Sequence, residues 1–297
     1  MIVEANYVAN VARHFTFTPN LNQLPVGTRL NAPNSTINVN ALRPYIGFGN
    51  IFLRDDSDNS NYNSLQVSVS RRLRSGLSFG ANYTFSKTMD SFGGNTPQDS
   101  YHPKQDIGLS SIHRAQILNF NCIYSLPFLA KSPSRLARQV LGGWEISGVT
   151  SFQSGAPNTV TAPLDSARIG ASSSRATVLS DPDLDRADRT PARWFKTEAF
   201  MNPALMTAGV FGNSGRNILI GPGFQNWDVS LLKVFRFRET TKLQFRAESF
   251  NLFNHTNFTG INTTVRFDNE GQPTGGFGAV NGAGPGRVLS LGLKLLF

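Results

Sequence analysis

The carboxyl-terminal segment constrains the fold of this chain most strongly, because it combines strict alternation with an aromatic last residue. Within Arg287–Phe297, every second residue is apolar: Leu289, Leu291, Leu293, Leu295 and Phe297. A period of two gives a strand with one apolar face and one polar face. A chain that stops on such a strand is typical of an outer-membrane β-barrel, whose last strand closes the barrel.

The composition favours strands and turns, and it excludes a helical membrane span. The 297 residues are 39% hydrophobic and 16% charged, with 27 Gly, 16 Pro and 23 Phe. Mean hydropathy is -0.22, and no uninterrupted apolar run approaches the roughly 18 residues that a transmembrane helix needs. A barrel remains possible, because only alternate strand residues must be apolar.

The net charge of +9 and the single cysteine exclude several classes of site. The basic residues are scattered, and the closest group, Arg71–Arg74, lies beside a tight turn, so we expect no nucleic-acid partner. A basic surface suits an anionic lipid leaflet, although an incidental excess of charge explains it equally well. Cys122 alone can form neither an internal disulfide nor a cysteine-based metal cluster.

Alternating segments recur along the chain, and the connections between them alternate in length. We predict strands near residues 63–73, 77–86, 114–126, 143–154, 225–236 and 242–253, before the terminal strand. The turns at Arg74–Gly76 and Arg238–Thr240 are short, whereas the connections at 86–113 and 154–224 are long and polar. Membrane barrels have short periplasmic turns and long extracellular loops, and a soluble sandwich has no reason to sort loops by length.

We therefore predict an all-β fold, an antiparallel transmembrane β-barrel portion of about eight strands with long extracellular loops. The strands would form an open curved sheet or a partial barrel in the outer membrane of a Gram-negative bacterium, surrounded by outer-membrane lipid. We predict that residues 154–224 form a structureless loop. We expect Tyr45–Phe52 to form an extracellular ribbon that pairs with the strand after Tyr62.

Several stretches, in this order, resemble the carboxyl-terminal barrel of TonB-dependent receptors of the Oar-like type. The resemblance covers most of the chain from about Ala5 onward, and it depends on the order and spacing of the stretches together. They are Ser60–Gln66 (SNYNSLQ), Tyr83–Lys87 (YTFSK), Gly142–Gly148 (GGWEISG), Phe211–Asn217 (FGNSGRN), Gly221–Asp228 (GPGFQNWD), Phe245–His255 (FRAESFNLFNH) and the terminal Phe297.

The resemblance implies a barrel of about 22 strands with an amino-terminal plug and a TonB box. This chain offers about eight strands and neither a plug nor a TonB box. Met1–Tyr7 also lacks the basic and apolar regions of a signal peptide. We therefore expect residues 1–297 to be the carboxyl-terminal part of a receptor barrel that contacts TonB only through a plug outside this chain. The terminal strand resembles the signal that the barrel-assembly machinery recognises, carried by Leu289, Leu291, Leu293, Leu295 and Phe297.

Two groups of residues are candidates for functional roles in such a barrel. Gln244, Arg246, Glu248 and Lys294 alternate with apolar neighbours and would face the lumen, as a substrate path, as contacts to the plug, or as a structural charge ladder between strands. Aromatic residues at strand ends would form membrane-interface girdles, although core packing also uses aromatics. They are Trp144, Trp227, Phe235 and Phe297.

Lys233 conflicts with the alternation, since it shares the parity of Val229 and Leu231 and would point at lipid. A lysine near a strand end can snorkel towards the interface, and a local bulge is the alternative.

Motifs for metal binding and catalysis fail their tests. Asp181–Asp185 resembles the start of a calcium loop, but Arg186 and Ala192 occupy the positions that need Gly and Glu. The four histidines lie in separate segments, and the Gly-rich stretches precede no helix pattern. No nucleophile motif appears, so we expect no metal, no cofactor and no enzymatic activity.

Three functions remain open from the sequence. The first is TonB-dependent uptake or binding of a bulky nutrient by a longer protein. The second is a passive porin-like or adhesive barrel, which fits the loop lengths and Phe297 equally well. The third is a soluble carbohydrate-binding β-sandwich.

Overall fold

The computed structural model describes residues 1–91, 93, 96–128, 133–237 and 240–297, and its main feature is one antiparallel sheet. Eight long strands pair in chain order, each with the next. They are β1 (Ile2–Phe17), β2 (Asp55–Arg74), β3 (Leu77–Asp90), β4 (Gln116–Ser125), β5 (Trp144–Gln153), β6 (Phe224–Arg236), β7 (Lys242–Phe250) and β8 (Val288–Leu296).

The remaining elements are short and lie in the connections. The helices are α1 (Ala32–Thr36), α2 (Val39–Leu42) and α3 (Arg135–Val140), and single 3-10 turns occupy Pro103–Asp106, Arg186–Asp188, Thr197–Ala199 and Pro203–Leu205. Gly108–Leu109 pairs with β3, Pro157–Asn158 with Leu219–Ile220, and Thr161–Ala162 with Ser174–Arg175. Within the described residues, every helix is too short or too polar to span a membrane.

Connections of different length lie at opposite ends of the sheet, as the sequence predicts. Residues 18–54, 91–115, 154–223 and 251–287 connect strands at what we call the long-loop end. Residues 75–76, 126–143 and 237–241 connect them at the short-turn end. The predicted turn at Arg238–Thr240 belongs to the last of these connections, but Arg238 and Glu239 lie outside the described residues.

The amino-terminal region differs from the prediction in one respect. The strand after Tyr62 pairs with β1 and β3, not with Tyr45–Phe52. Tyr45–Phe52 belongs instead to the first long connection, where Phe52 forms an isolated bridge with Asn20. The expected ribbon is therefore wrong, because β1 already occupies the free edge of β2 through thirteen aligned pairs.

The register of the sheet gives it one mainly apolar face and one mainly polar face, although Val149, Leu232 and Val234 lie on the polar one. Phe79 aligns with Cys122, Leu231 with Ile146 and Ala247 with Leu291, so apolar side chains meet on neighbouring strands. The apolar face carries, strand by strand, residues such as Ala5, Val67, Ala81, Phe120, Ile146, Leu231, Phe245 and Leu293. The polar face carries residues such as Asn6, Gln66, Asn82, Asn121, Ser147, Ser230, Arg246 and Lys294.

The hairpin between β2 and β3 shows how a local signal fixes this register. Ser75 and Gly76 both have positive φ angles, of 52° and 80°, as a two-residue type I′ turn requires. A Cβ atom at Gly76 would lie 2.7 Å from the carbonyl oxygen of Ser125 on β4. Glycine is therefore required here for both its backbone conformation and the close approach of the next strand.

The sheet is open, since β1 and β8 each pair with one neighbour in the described part of the chain. Every residue of β8 is exposed. All eight long strands belong to this one sheet, which is inconsistent with a β-sandwich, because a sandwich packs two sheets against each other. An unpaired strand edge presents free backbone donors and acceptors.

The hydrophobic core lies in the long connections and not in the sheet. A cluster of nine buried residues draws on residues 154–223 and 251–287, and the rings of Phe195, Phe200 and Phe277 meet edge to face at 5.3–5.8 Å. The expectation that residues 154–224 are structureless is therefore wrong. The cluster comprises Val160, Ala176, Phe195, Ala199, Phe200, Leu219, Ile261, Val265 and Phe277.

Candidate functional site: the polar face and the folded loops

The four predicted lumen residues lie together on the polar face of β7 and β8. Gln244 aligns with Lys294, Arg246 with Gly292, and Glu248 with Ser290. Their common face follows from the register, because alternate residues on paired strands point to the same side. Their functional role stays a prediction.

The charged members of this group form an ion pair within one strand. Arg246 Nη2 lies 2.7 Å from Glu248 Oε1, and the two side chains are 56% and 25% exposed. The hydroxyl of Ser230 on β6 lies 3.5 Å from the same carboxylate oxygen. The ion pair runs along β7, whereas the contact with Ser230 joins β7 to β6, so both a lumenal path and a structural role between strands stay open.

These residues border a cleft of about 310 Å³ that extends over four strands, β4 to β7. Asn121, Ser147, Asp228 and Ser230 contribute polar groups to the cleft, beside Arg246 and Glu248. A cleft of this size, lined by hydroxyls, an amide and charges of both signs together with the apolar side chains of Ile123, Val149 and Phe250, can contact a solute or a protein surface that presents both polar and apolar groups.

Lys233 lies on the apolar face, as its parity predicts, but it does not extend into the surroundings. Its side chain is buried, and the Nζ atom donates a hydrogen bond to the carbonyl oxygen of Gly142 in the connection before β5. Nζ also lies 5.4 Å from the centre of the Phe235 ring. The strand shows no bulge at this position, since Lys233 pairs regularly with Phe245 and Trp144. The lysine therefore extends to the short-turn end, as a snorkelling residue does.

The predicted interface aromatics occupy two levels of the apolar face. Trp144 and Phe235 lie at the short-turn end, where Trp144 packs against Phe245 at 6.0 Å. Trp227 lies at the long-loop end and contacts Phe152 and Phe253, each at 5.6 Å. Phe297 follows β8 and is 96% exposed.

The spacing of these aromatics matches the dimension of a membrane. Trp227 and Phe235 are eight residues apart on β6, and Trp144 and Phe152 are eight apart on β5. Eight residues of strand span about 26 Å. With the strand tilt of membrane barrels, this corresponds to roughly 20 Å along the membrane normal, close to the apolar band of about 25 Å between two aromatic girdles.

Sequence reasoning missed the buried ion pairs that join the loops to the sheet. Arg216, in the long connection 154–223, forms an ion pair with Asp90 at the end of β3. Its Nη2 also donates to the Asp90 carbonyl at 3.0 Å, and its Nε donates to the Asp106 carbonyl at 2.8 Å. Both side chains of the pair are nearly buried, at 12% and 8% exposed.

A second buried pair joins the same two long connections. Arg175 Nη2 lies 2.8 Å from Asp106 Oδ1, and each side chain is 9% exposed. Gln98 completes the group, because its backbone N–H donates to Asp106 Oδ2 at 2.9 Å and its side-chain oxygen accepts from the Arg175 N–H at 2.7 Å. The group fixes 91–115 against 154–223, although its members are far apart in sequence.

His113 is buried where the second long connection meets β3. Its Nδ1 accepts a hydrogen bond from the backbone N–H of Thr88 at 3.2 Å. Burial lowers the pKa of His113, and the positive charges of Arg114 and Lys87 lower it further. Both effects favour the neutral ring, which is the form that Nδ1 needs to accept this bond.

The long connection 154–223 holds a second cleft, of about 430 Å³, beside the exposed residues Asp181, Asp183 and Asn213. Asp181 Oδ1 accepts the backbone N–H of Asp183 at 3.0 Å, a local turn and not a ligand set. No group of three metal-ligating side chains occurs among the residues that the structure describes. Hydroxyls, an amide and carboxylates at this position can form hydrogen bonds with a polar ligand that approaches the loops.

An open antiparallel sheet with one mainly apolar and one mainly polar face is of the kind found in outer-membrane β-barrels, and comparison with known sequences gives the family. The sequence profile of the family "Outer membrane beta barrel domain" matches residues 1–289. The chain belongs to this family and is localised to the outer membrane. No curated protein matches the sequence.

Among solved structures, the chain is similar to the outer membrane transporter YddB from Escherichia coli. The sequence identity is 9% and the TM-score is 0.44. The match covers 99% of this chain and 30% of the transporter, so this chain spans less than a third of that transporter's length.

Proposed function

We propose that this chain forms the carboxyl-terminal part of the barrel of a TonB-dependent receptor of the Oar-like type, which takes up or binds a bulky nutrient. The observation that carries the proposal is a single sheet with one apolar face, one polar face and folded loops at one end. A transport barrel needs these three features, for lipid contact, for a solvated path and for capture of the ligand.

The parts of the chain would divide this work among them. The apolar face would contact outer-membrane lipid, and β8 with Phe297 would be the segment that the barrel-assembly machinery recognises. Gln244, Arg246, Glu248 and Lys294 would line the lumen, as a path or as contacts to a plug. The cleft beside Asp181 and Asn213 would contact the ligand first.

The free edges of β1 and β8 support a larger barrel. Strands that pair with both edges would close it and satisfy the exposed backbone groups. Those strands, the plug and the TonB box would come from residues outside this chain, and energy from the inner membrane would act only through that plug.

The folded loops also favour a second candidate, a passive or adhesive outer-membrane barrel. A loop region with its own core offers a rigid surface for recognition, and adhesion needs no plug. Adhesion and uptake differ in whether the barrel is plugged and whether TonB binds.

The protein encoded by the complete reading frame that contains this chain separates these candidates. We expect it to retain the purified periplasmic domain of TonB, and to show no steady conductance in a planar lipid bilayer, because a plug fills the lumen. Deleting the residues that precede this chain should abolish TonB binding. A large, constant conductance together with no TonB binding would establish the passive barrel instead.

A further inference from the structure

The positive charge of the chain is concentrated at one end of the sheet. Within the described residues, the segments 71–77, 126–128, 133–145, 233–237 and 240–243, together with Lys294, contain nine of the 28 Lys and Arg residues but only one of the 19 Asp and Glu residues. These segments meet at the short-turn end. They carry a net charge of +8, close to the net charge of +9 of the whole chain. Residues that are scattered in the sequence are gathered by the fold.

Exposed apolar side chains accompany this charge. Leu136 and Val140 lie four residues apart on α3 and therefore share a face, and they are 75% and 47% exposed. Phe128, Leu141 and Phe237 at the same end are each more than half exposed. Exposed apolar residues among basic ones are typical of segments that lie in a membrane interface.

Hydrogen bonds to the sheet hold the connection 126–143 beside the edge of the apolar face at the short-turn end. Gln139 Nε2 donates to the Arg236 carbonyl at 3.2 Å, and Trp144 Nε1 donates to the Val140 carbonyl at 3.1 Å. Lys233 Nζ donates to the Gly142 carbonyl. α3 is thus held beside Trp144 and Phe235, which mark one edge of the apolar face.

We propose that the short-turn end is a binding surface for the headgroups of anionic phospholipids. The apolar residues of the connection 126–143 would enter the outer part of the acyl region. Arg72, Arg138 and Arg236, which are exposed on three different elements, would contact phosphate groups. A cluster of basic residues at a membrane surface is attracted to anionic lipid, and the attraction falls off within a Debye length.

Trp144 provides a probe at this surface. The purified chain in zwitterionic micelles would be titrated with brominated phosphatidylglycerol or brominated phosphatidylcholine, which quench nearby tryptophan fluorescence. The Trp144→Phe variant gives the signal of Trp194 and Trp227, to be subtracted. We expect half-quenching of Trp144 at an about tenfold lower concentration of brominated phosphatidylglycerol than of brominated phosphatidylcholine. We also expect high salt to abolish this preference, because salt screens exposed charges.

Two triple variants with equal loss of charge locate the effect. Arg72→Gln/Arg138→Gln/Arg236→Gln should remove the preference for phosphatidylglycerol. Arg13→Gln/Arg54→Gln/Arg186→Gln, which removes exposed charges near the long-loop end, should retain it. Equal quenching by both lipids, a preference that survives high salt, or the same loss in both triples would overturn the proposal. The salt titration needs no variant, so it decides even if a triple fails to fold. The proposal needs only a membrane barrel, and it stands or falls independently of TonB.

Discussion

The sheet and the loops handle their apolar residues in opposite ways. Of the fifteen buried apolar side chains among the described residues, fourteen belong to the long connections, and the other, Phe17, lies where β1 enters the first of them. On β8, by contrast, Leu291 and Leu293 are 77% and 71% exposed. The loops bury their apolar surface against themselves, as a protein does in water, whereas the sheet leaves its apolar face exposed, as expected of a strand face that meets lipid.

The ion pairs of the two regions also differ in burial: those of the loops are more buried than that of the sheet. The loop pairs Arg175–Asp106 and Arg216–Asp90 are almost fully buried, whereas in the sheet pair Arg246 is exposed and Glu248 is partly exposed. A buried pair depends on both partners, because removing one leaves an uncompensated charge. An exposed pair is screened by water and contributes little. Variants should therefore have large effects in the loops and small effects on the polar face.

Arg216→Met should have the largest effect, since it leaves Asp90 buried without its cation and removes the donor to Asp106. Breaking a buried pair in this way costs about 3–5 kcal/mol. We expect the loops to become sensitive to protease while the circular dichroism of the sheet is retained. Arg193→Met is the matched control, because the Arg193–Glu198 pair is exposed and its loss should cost less than about 1 kcal/mol. Equal protease sensitivity of the two variants would contradict the comparison.

Leu219→Ala tests the loop core. Leu219 is 1% exposed within the aromatic and aliphatic cluster, and removing a buried leucine side chain costs about 2–5 kcal/mol. The free energy of unfolding of the loops can be measured by denaturant titration of Trp194, which packs against the same cluster. Leu205→Ala, at a position that is 74% exposed, should change that free energy by no more than about 0.5 kcal/mol. A negligible effect of Leu219→Ala would show that the loops do not fold around this core.

His113 should make the loops less stable in acid. Its pKa is lowered in the folded chain by burial and by Arg114 and Lys87, while the unfolded chain keeps the ordinary value of about 6.5. Below about pH 6.5 the unfolded state therefore binds more protons, and the free energy of unfolding falls as the pH decreases towards the folded pKa. Proteolysis of 91–115 should accelerate from about pH 7.5 to pH 5. The acceleration should be reduced in His113→Gln and retained in His255→Gln, whose imidazole is exposed. Equal acceleration in both variants would assign the effect to other groups.

The sequence predicts the sheet much better than the loops, for a physical reason. The alternation within a single strand, as from Leu289 to Phe297, indicates its apolar and polar faces without reference to the rest of the chain. The fold of the loops depends instead on contacts between distant residues, such as Asp90 and Arg216, which are 126 residues apart. The clustering of Phe195 and Phe277 has no periodicity either, so their burial could not be predicted from the sequence.

The same distinction explains Lys233 and the charge distribution. Parity places Lys233 on the apolar face, but its partner, Gly142, belongs to a connection whose path the sequence does not specify. The basic residues at the short-turn end are scattered in the sequence, and the pairing of the strands brings their segments together. Gln244, Arg246, Glu248 and Lys294 share one face of the sheet, as alternation and pairing require, and their lumenal role stays a prediction.

The smallest change in stability should come from the polar face, and this distinguishes a path from a structural ladder. Arg246→Gln and Glu248→Gln, alone and together, should each alter the free energy of unfolding in micelles by less than about 1 kcal/mol, since the pair is exposed. The coupling from the double-mutant cycle should likewise be small. Stability that is insensitive to these residues, combined with altered conductance or uptake by the complete protein, would support a lumenal role. A coupling above about 2 kcal/mol would instead mean that the pair holds β7 in place. The ion pairs of the loops and of the sheet would then differ only in how much they stabilise the protein.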